Sequence, residues 1–128
     1  MSLFKNIFGD SNESNNSSKV AWIPLTNLGQ LNEIIHESTS TPVIIFKHST
    51  RCSVSRMALK QFENEFDLQS KVTPYFLDLL ENRDISSEIA LRFGVVHQSP
   101  QLILIKDGKS IYNASHSDIS AADLKEYF

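Results

Sequence analysis

The stretch PVIIFKHSTRCSVSRMALKQF, residues 42–62, decides the fold because it joins a buried strand to a helix. Residues 42–48 form an apolar run bounded by proline and by polar side chains. Such a run is typical of a strand that is covered on both faces. After a short polar loop, apolar side chains recur at helical spacing and predict a helix over residues 51–67. The apolar positions of this helix are Met57, Leu59, Phe62 and Phe66.

Strands and helices also alternate before this stretch. A short strand is predicted within VAWIPL, residues 20–25. A helix follows within NLGQLNEIIHES, residues 27–38, and Thr26 is placed to cap it. Strands that alternate with helices in this way are expected to lie parallel, with the helices as crossovers.

After the deciding stretch, the same alternation continues and then changes. Residues 73–80 alternate as a strand does, and residues 84–95 predict a helix that Asp84 can cap and Gly94 can end. Residues 100–115 contain two strand-like runs around an Asp-Gly pair, which indicates a β-hairpin.

Residues 118–128 predict a last helix, opened by Ser117 or Asp118. The whole order is β-α-β-α-β-α-β-β-α. It predicts an α/β fold with a mixed central β-sheet flanked by helices on both faces.

The chain is predicted to divide at residue 20 into an extension and one domain. Residues 9–19, GDSNESNNSSK, are polar without periodicity and are interpreted as a flexible linker. The apolar residues before them predict a short amphipathic turn, which docks on its own domain or frays, or anchors the chain to a membrane or partner. Residues 1–19 are thus an N-terminal extension and residues 20–128 the folded domain. The apolar residues of the extension are Leu3, Phe4, Ile7 and Phe8.

Composition excludes several classes of protein. The chain has 128 residues, a net charge of −3 and no basic run, so no nucleic-acid partner is expected. A single cysteine excludes an intramolecular disulfide and a zinc site built on cysteine pairs, and no metal site is expected. The sequence shows neither a secretory signal nor an apolar run of the ~20 residues that cross a bilayer. We therefore expect a cytoplasmic protein that does not bind membranes.

Cys52 lies where the buried strand ends and the next helix begins. With Ser49 or Thr50 as the helix cap, the sulfur falls in the first turn, where backbone N–H groups lack partners within the helix. These N–H groups, the helix dipole and nearby cations favour a thiolate. A reactive thiol is therefore predicted, and a buried structural cysteine is the alternative. The nearby cations are Lys47, His48, Arg51 and Arg56.

Ser55 stands where a dithiol redox protein would carry its second cysteine. It shares a helix face with Cys52, so its hydroxyl is placed to donate to the thiolate. A serine that is simply tolerated in a first helical turn is the alternative, and the same two interpretations apply to Ser53. Because a hydroxyl cannot resolve a mixed disulfide, an outside thiol must do so.

Pro100 precedes a predicted strand, and an ordinary proline at a strand entry is one interpretation. The other is a cis-proline loop that faces the thiol and leaves the backbone at Ser99 free to pair with an extended substrate. Periodicity does not decide between them, because only about 5–6% of X–Pro bonds are cis. His97, in the same loop, is either an ordinary loop side chain or a neighbour of the thiol.

In its order of strand, thiol and proline loop, the sequence resembles the thioredoxin-like fold. Within that fold it resembles the monothiol bacilliredoxins, the bacillithiol-system proteins of the YtxJ type. The resemblance covers residues 20–128. It depends on KHSTRCSVS, residues 47–55, and on Ser99-Pro100 before LILIKDGK.

The resemblance implies a role for each matching residue. Cys52 corresponds to the nucleophile, Ser55 to the non-thiol position of the motif, and Pro100 to the cis-proline. The family motif is typically Thr-Cys-Pro-Ile-Ser, so Arg51 and Ser53 are departures that bear on the choice of substrate and thiol. The residues predicted to contact the substrate or the small thiol are Lys47, His48, Thr50, Arg51, Ser53, Ser99 and Pro100.

The resemblance also implies an activity. It is that of a cytoplasmic thiol–disulfide oxidoreductase that removes bacillithiol from S-bacillithiolated proteins, with bacillithiol as co-substrate and no tightly bound cofactor. A second small thiol or a separate redox protein would restore Cys52, and a monomer is expected. Bacillithiol carries a malate-derived dicarboxylate, so Lys47, His48 and Arg51 are expected to bind its carboxylates.

Two other functions fit the sequence. One is a redox-inactive, thioredoxin-like interaction module, which the missing second cysteine favours. The other is a monothiol glutaredoxin-like protein that holds an iron–sulfur cluster between two protomers. The Cys-Gly-Phe-Ser motif typical of such cluster carriers is absent from this chain.

Overall fold

The computed structural model describes residues 20–128, and the predicted N-terminal extension lies outside the described residues. The described residues contain strands and helices in the predicted order. Short 3-10 helices, His116–Asp118 and Lys125–Tyr127, flank the last α-helix. The elements are β1 (Ile23–Pro24), α1 (Gly29–Glu37), β2 (Val43–His48), α2 (Ser53–Glu65), β3 (Thr73–Asp78), α3 (Arg83–Phe93), β4 (Gln101–Lys106), β5 (Lys109–Ser115) and α4 (Ala121–Leu124).

The strands form one mixed sheet in the order β1-β3-β2-β4-β5. β3 lies parallel to β1 and β2, whereas β4 runs antiparallel to β2 and β5. Helices connect the parallel strands because such strands need a crossover. The end of β2 therefore lies beside the start of β4, where Lys47 pairs with Gln101. Two loops meet at this edge of the sheet: residues 49–52, which we call the cysteine loop, and residues 94–100, which we call the proline loop.

Alternate side chains of the central strands belong to two separate cores. Ile45 of β2 packs in the core that α1 and α3 cover, while Ile44 and Phe46 pack in the core that α2 and α4 cover. β2 is buried along its whole length because both of its faces are covered. The predicted α/β fold class, a mixed sheet with helices on both faces, is confirmed.

The predicted turns are also present. Gly94 ends α3 in the left-handed conformation, with φ of 64°. Asp107 and Gly108 connect β4 to β5, and both have positive φ, as the tight hairpin turn with Asp-Gly requires.

Two helix starts differ from the prediction. α1 has Leu28 rather than Thr26 at its cap, and the Gln30 side-chain oxygen accepts the Thr26 N–H at 2.7 Å. α3 has Asn82 at its cap, so Asp84 lies within the first turn instead of preceding it.

Two further predictions about the helices are wrong. Met57 is 71% exposed, because α2 buries the face that carries Ser55 and Phe62 and Met57 lies about 200° around the helix from Ser55. The last α-helix begins at Ala121, since both predicted opening residues, Ser117 and Asp118, fall within a 3-10 helix. In residues 20–128, no helix is both long and apolar enough to cross a bilayer.

Candidate active site

Cys52 is the cap residue of α2. The helix begins at Ser53, so it starts later than a cap at Ser49 or Thr50 would give, and Cys52 has extended backbone angles. The Cys52 N–H donates to the Ser49 carbonyl at 3.2 Å, and its own carbonyl accepts the Arg56 N–H at 3.1 Å. The sulfur makes no capping hydrogen bond. As a free, half-buried residue, Cys52 is held by its backbone and still accessible to solvent.

Ser55 lies one turn along α2 and is fully buried. Its hydroxyl is 2.7 Å from Nδ1 of His48 and accepts the Ser49 N–H at 3.1 Å. A serine hydroxyl has only one proton to donate. The structure therefore joins Ser55 to His48 and Ser49 rather than to the Cys52 sulfur, the partner that the sequence predicts.

His48 lies beneath the cysteine loop, on the α2 face of the sheet. Its ring is 5% exposed and packs 5.5 Å from the ring of Phe76. Burial lowers the pKa of His48, while the charge of Asp78 opposes that shift and the charge of Arg56 adds to it. Burial thus favours the neutral ring, whose Nδ1 pairs with the Ser55 hydroxyl. The predicted contact of His48 with a substrate carboxylate is thus corrected, because its ring is buried and already paired.

Lys47 projects to the opposite face of the sheet and is also fully buried. Its Nζ is 3.2 Å from Nδ1 of His97 and donates to the Ser86 carbonyl at 3.4 Å. Burial lowers the pKa of Lys47 to about 8. Burial, and then the charge of Lys47, lower the pKa of His97. Lys47 is thus buried behind His97 and Ser86. The sequence predicts instead a Lys47 side chain that is open to a substrate, and the structure corrects this.

The proline loop is fixed at the same edge of the sheet. The Ser99–Pro100 peptide bond is cis, as the family resemblance implies. Pro100 is buried, and the side-chain amide of Gln101 donates to the Val96 carbonyl at 3.0 Å. The Ser99 hydroxyl oxygen is buried without a hydrogen-bond partner among residues 20–128. Since Gln101 pairs with Lys47, this loop lies next to the end of β2 that leads to Cys52.

Thr50 and Arg51 are exposed and line a cavity of about 400 Å³ beside the cysteine loop. We call it the arginine cavity; Leu80, Glu81 and Arg83 complete its lining. Ser53 is exposed at the first position of α2 and does not line it.

A second cavity, of about 480 Å³, follows α3 from Arg83 to His97, and we call it the α3 cavity. Sequence reasoning missed Arg83, which lies far from Cys52 in the chain. The available signal was a basic residue at the start of a helix, where the dipole disfavours a cation.

The predicted site residues thus form layers at one edge of the sheet. Cys52 is half-buried, its neighbours Thr50, Arg51 and Ser53 are exposed, and the proline loop lies at the same edge of the sheet. Ser55, His48 and Lys47 lie below. In the described part of the chain, no group of three or more His, Cys, Asp or Glu side chains is arranged to hold a metal ion.

Comparison with known proteins places this geometry in a family. The family model described as monothiol bacilliredoxin BrxC matches residues 23–124. A solved structure described as a proposed oxidoreductase with a thioredoxin fold is 31% identical, with 81% of this chain and 90% of that chain covered and a TM-score of 0.70.

Two thioredoxins share the fold at lower identity. The Malassezia sympodialis thioredoxin is 19% identical, with 86% of this chain and 90% of that chain covered and a TM-score of 0.64. Mitochondrial thioredoxin 3 from Saccharomyces cerevisiae is 21% identical, with 84% and 92% covered and a TM-score of 0.63. These two similarities show the thioredoxin fold alone. The family match spans Cys52, the cis-proline and most of both cores. The chain therefore belongs to the monothiol bacilliredoxin family, BrxC.

Proposed function

We propose that the protein is a cytoplasmic thiol–disulfide oxidoreductase that removes bacillithiol, or a similar small thiol, from S-thiolated proteins. The observation that carries the proposal is one free, half-buried cysteine at the start of α2, in a chain without a second thiol. A lone thiol can take a small thiol from a mixed disulfide but cannot release it again by itself. The protein is proposed to act as a monomer, with bacillithiol as co-substrate.

The proposed exchange has two balanced steps. The Cys52 thiolate attacks the small-thiol sulfur of the client mixed disulfide. That disulfide bond breaks, a new one forms between Cys52 and the small thiol, and the client leaves as a thiolate that takes up a proton. A second small thiol, or a separate redox protein, then attacks the adduct and regenerates Cys52. The client is reduced, and this outside thiol is oxidised.

The surroundings of Cys52 support the first step. Cys52 is the cap residue of α2, so its side chain lies at the end of the helix where backbone N–H groups lack partners and the dipole is positive. The contacts of Ser55 with His48 and with the Ser49 N–H fix the loop before Cys52 from below. The backbone next to Ser99 supplies an edge to which an extended client segment can bind.

Reduction of an S-bacillithiolated client protein tests the proposal. The wild-type protein should release the client thiol and gain the mass of the small thiol on Cys52. Cys52→Ser should release none, because a hydroxyl does not attack a disulfide under these conditions. Equal release by Cys52→Ser would contradict the proposal. A partner that stays bound to Cys52→Ala, without thiol release by the wild type, would favour the interaction module.

A further inference from the structure

An apolar groove lies between α2 and the turn that follows β5, and it shares no residue with the arginine cavity or the α3 cavity. Its volume is about 200 Å³, below the range of about 300–1,000 Å³ that is typical of small-molecule pockets. A groove of this size suits the side chains of a peptide segment better than a whole ligand. We call it the α2 groove. α2 lines it with Val54, Met57, Ala58 and Gln61, and the turn lines it with His116 and Ile119.

Exposed apolar side chains form one wall of the α2 groove. Val54 is 51% exposed and Met57 is 71% exposed, and they are three residues apart on α2. Side chains at this spacing lie on one face of a helix. Single exposed apolar side chains are normal on a protein surface, whereas neighbouring ones beside an apolar groove mark an interaction site. The α2 groove therefore has the composition of a surface that another apolar segment covers.

The α2 groove adjoins the candidate active site. Val54 is the second residue after Cys52 in the chain. On the opposite wall, the His116 N–H donates to the Pro100 carbonyl at 3.1 Å, which ties the turn to the proline loop. A segment bound in the groove would therefore occupy space that a protein client needs in order to bring its disulfide to Cys52. A small disulfide would need less of that space.

The chain itself carries an apolar segment outside the described residues. Leu3, Phe4, Ile7 and Phe8 recur at a spacing that predicts one apolar face on a short helix. About six residues are too few for a stable isolated helix, so such a segment gains from a surface to bind. Insertion of a short amphipathic helix into an apolar groove is a common mode of peptide recognition. The family match begins at residue 23, so this segment lies outside the part that the chain shares with its family.

The linker has the length to bring this segment to the α2 groove. Residues 9–19 contain no apolar side chain. Because β1 lies parallel to β3 and β2, the domain begins at the end of the sheet opposite to Cys52. β2 has 6 residues, so these two ends are about 20 Å apart. A polar linker of this length has a root-mean-square span of about 17–20 Å, and a linker that matches its span gives the highest effective concentration.

We infer that residues 3–8 dock in the α2 groove of their own domain and shield Cys52 from protein clients. The occupant of the groove is then a segment of the same chain, tethered by residues 9–19. A client would reach Cys52 only after this segment leaves, so docking would slow exchange with proteins more than exchange with small disulfides. The shielding rests on the proposed exchange at Cys52, whereas the docking does not depend on it.

Cross-linking tests the docking in the full chain. Two cysteines are introduced into a Cys52→Ser protein: Asn6→Cys, which keeps the four apolar residues of the segment, and Gln61→Cys in the groove. In a glutathione redox buffer, this pair should form its intramolecular disulfide about tenfold more readily than Asn6→Cys with Leu91→Cys. Leu91 supplies the matched control, because it is apolar and 78% exposed but belongs to α3, on the other face of the sheet.

Client release tests the shielding. Phe4→Ser combined with Phe8→Ser removes two apolar anchors at positions that precede the folded domain. With the protein in excess, thiol release from an S-thiolated client protein should become about threefold faster, as expected if the wild-type segment is docked about two thirds of the time. Release of 5-thio-2-nitrobenzoate from its mixed disulfide with 2-mercaptoethanol should keep its rate. Lys5→Gln combined with Asn6→Ser, at polar positions of the same segment, is the control and should match the wild type.

A substitution in the groove gives an independent test. Met57→Glu places a carboxylate where the apolar segment would bind, and desolvation of that charge disfavours docking. Since Met57 is largely exposed, the substitution leaves the core of the domain intact. We expect Met57→Glu to reduce the Asn6→Cys to Gln61→Cys disulfide and to speed client release as the double phenylalanine variant does.

The outcomes separate the docking from its alternatives and from the proposed function. Equal cross-linking at Gln61→Cys and Leu91→Cys overturns the docking, and a disulfide-linked dimer would assign the groove to a second copy of the chain. Unchanged client release by Phe4→Ser with Phe8→Ser overturns the shielding. A Met57→Glu protein that slows client release would assign the groove to the client instead. Wild type and variants that release no client thiol overturn the proposed function and the shielding, while preferential cross-linking would still establish the docking.

Discussion

Lys47 and His48 are adjacent in β2, and the alternation of the strand sends them to opposite faces of the sheet. His48 meets Ser55 on the α2 side, whereas Lys47 meets His97 on the α3 side. One strand end thus supports the loop before Cys52 from one layer and the loop before the cis-proline from the other. A substitution at either position should perturb mainly its own side of the site.

The buried ammonium of Lys47 makes stability depend on pH. Its pKa falls from 10.5 to about 8 on folding because of burial, so the unfolded chain binds this proton more tightly. Between these two values the free energy of unfolding should rise with pH. Lys47→Met should abolish that rise and increase the free energy of unfolding at pH 7 by about 1–2 kcal/mol. Urea unfolding at several pH values measures both effects.

The exposed Lys60 on α2 supplies the control for this prediction. Lys60→Met should retain the alkaline rise and shift stability by no more than about 0.5 kcal/mol. A Lys47→Met protein that is less stable than the wild type at pH 7 would show the reverse of our expectation. The contacts of the ammonium with His97 and Ser86 would then outweigh the cost of burying it.

At the scale of elements, the residue at which α2 begins matters more for the site than the fact that a helix forms there. The apolar spacing predicts the helix itself, but its first residue depends on contacts that spacing does not contain. The Ser49 N–H donates to the Ser55 hydroxyl, and the Ser49 carbonyl accepts the Cys52 N–H. The backbone therefore turns before the helix begins. Cys52 consequently becomes the cap residue instead of a first-turn residue.

The Ser55 hydroxyl should therefore stabilise the amino end of α2. Ser55→Ala leaves Nδ1 of His48 and the Ser49 N–H without this partner in a buried place. We expect a loss of about 1–3 kcal/mol in the free energy of unfolding, measured with urea. Ser53→Ala, at an exposed position of the same helical turn, should change it by less than about 0.5 kcal/mol. Equal losses in the two variants would refute a specific role for the Ser55 hydroxyl.

At the scale of the whole molecule, the domain begins earlier than the family match. The match starts at residue 23, but Val20 is 5% exposed within the core on the α2 side. Trp22 packs between aromatic rings, and its indole N–H donates to Glu63 at 2.7 Å. The first residues of the domain are therefore part of its structure.

Two truncations test this boundary. A chain that begins at residue 20 should keep the stability of the full chain, as the predicted division at that residue requires. A chain that begins at residue 23 loses the burial of Val20 and Trp22 and should be less stable by about 3–5 kcal/mol. Urea unfolding of the two proteins and of the full chain decides the matter. A large loss in the first truncation would move the domain boundary into residues 1–19.

The order of elements was predictable because each repeats a local pattern: the apolar run of β2, the helical spacing of α2 and the Asp107-Gly108 turn. The contacts within the site were not, because they join residues far apart in the chain. From the sequence, Lys47 is predicted to be an exposed cation beside a thiol. In the structure it is buried, and its partners are Ser86 and His97. Arg83 joins the site only through the crossover of α3, and no local pattern reports that approach.

The chain carries one cysteine and no second thiol that could release a small thiol bound to it. Under the proposed chemistry, each molecule stores at most one equivalent of small thiol and stays loaded until a donor of electrons arrives. The fraction of molecules that carry a small thiol on Cys52 would rise when client proteins are S-thiolated faster than the outside thiol is regenerated. It would fall when regeneration is the faster process. The steady-state occupancy of Cys52 by the small thiol would therefore report the oxidative load in the cell. A dithiol enzyme, which resolves its own mixed disulfide at every turnover, would not report it.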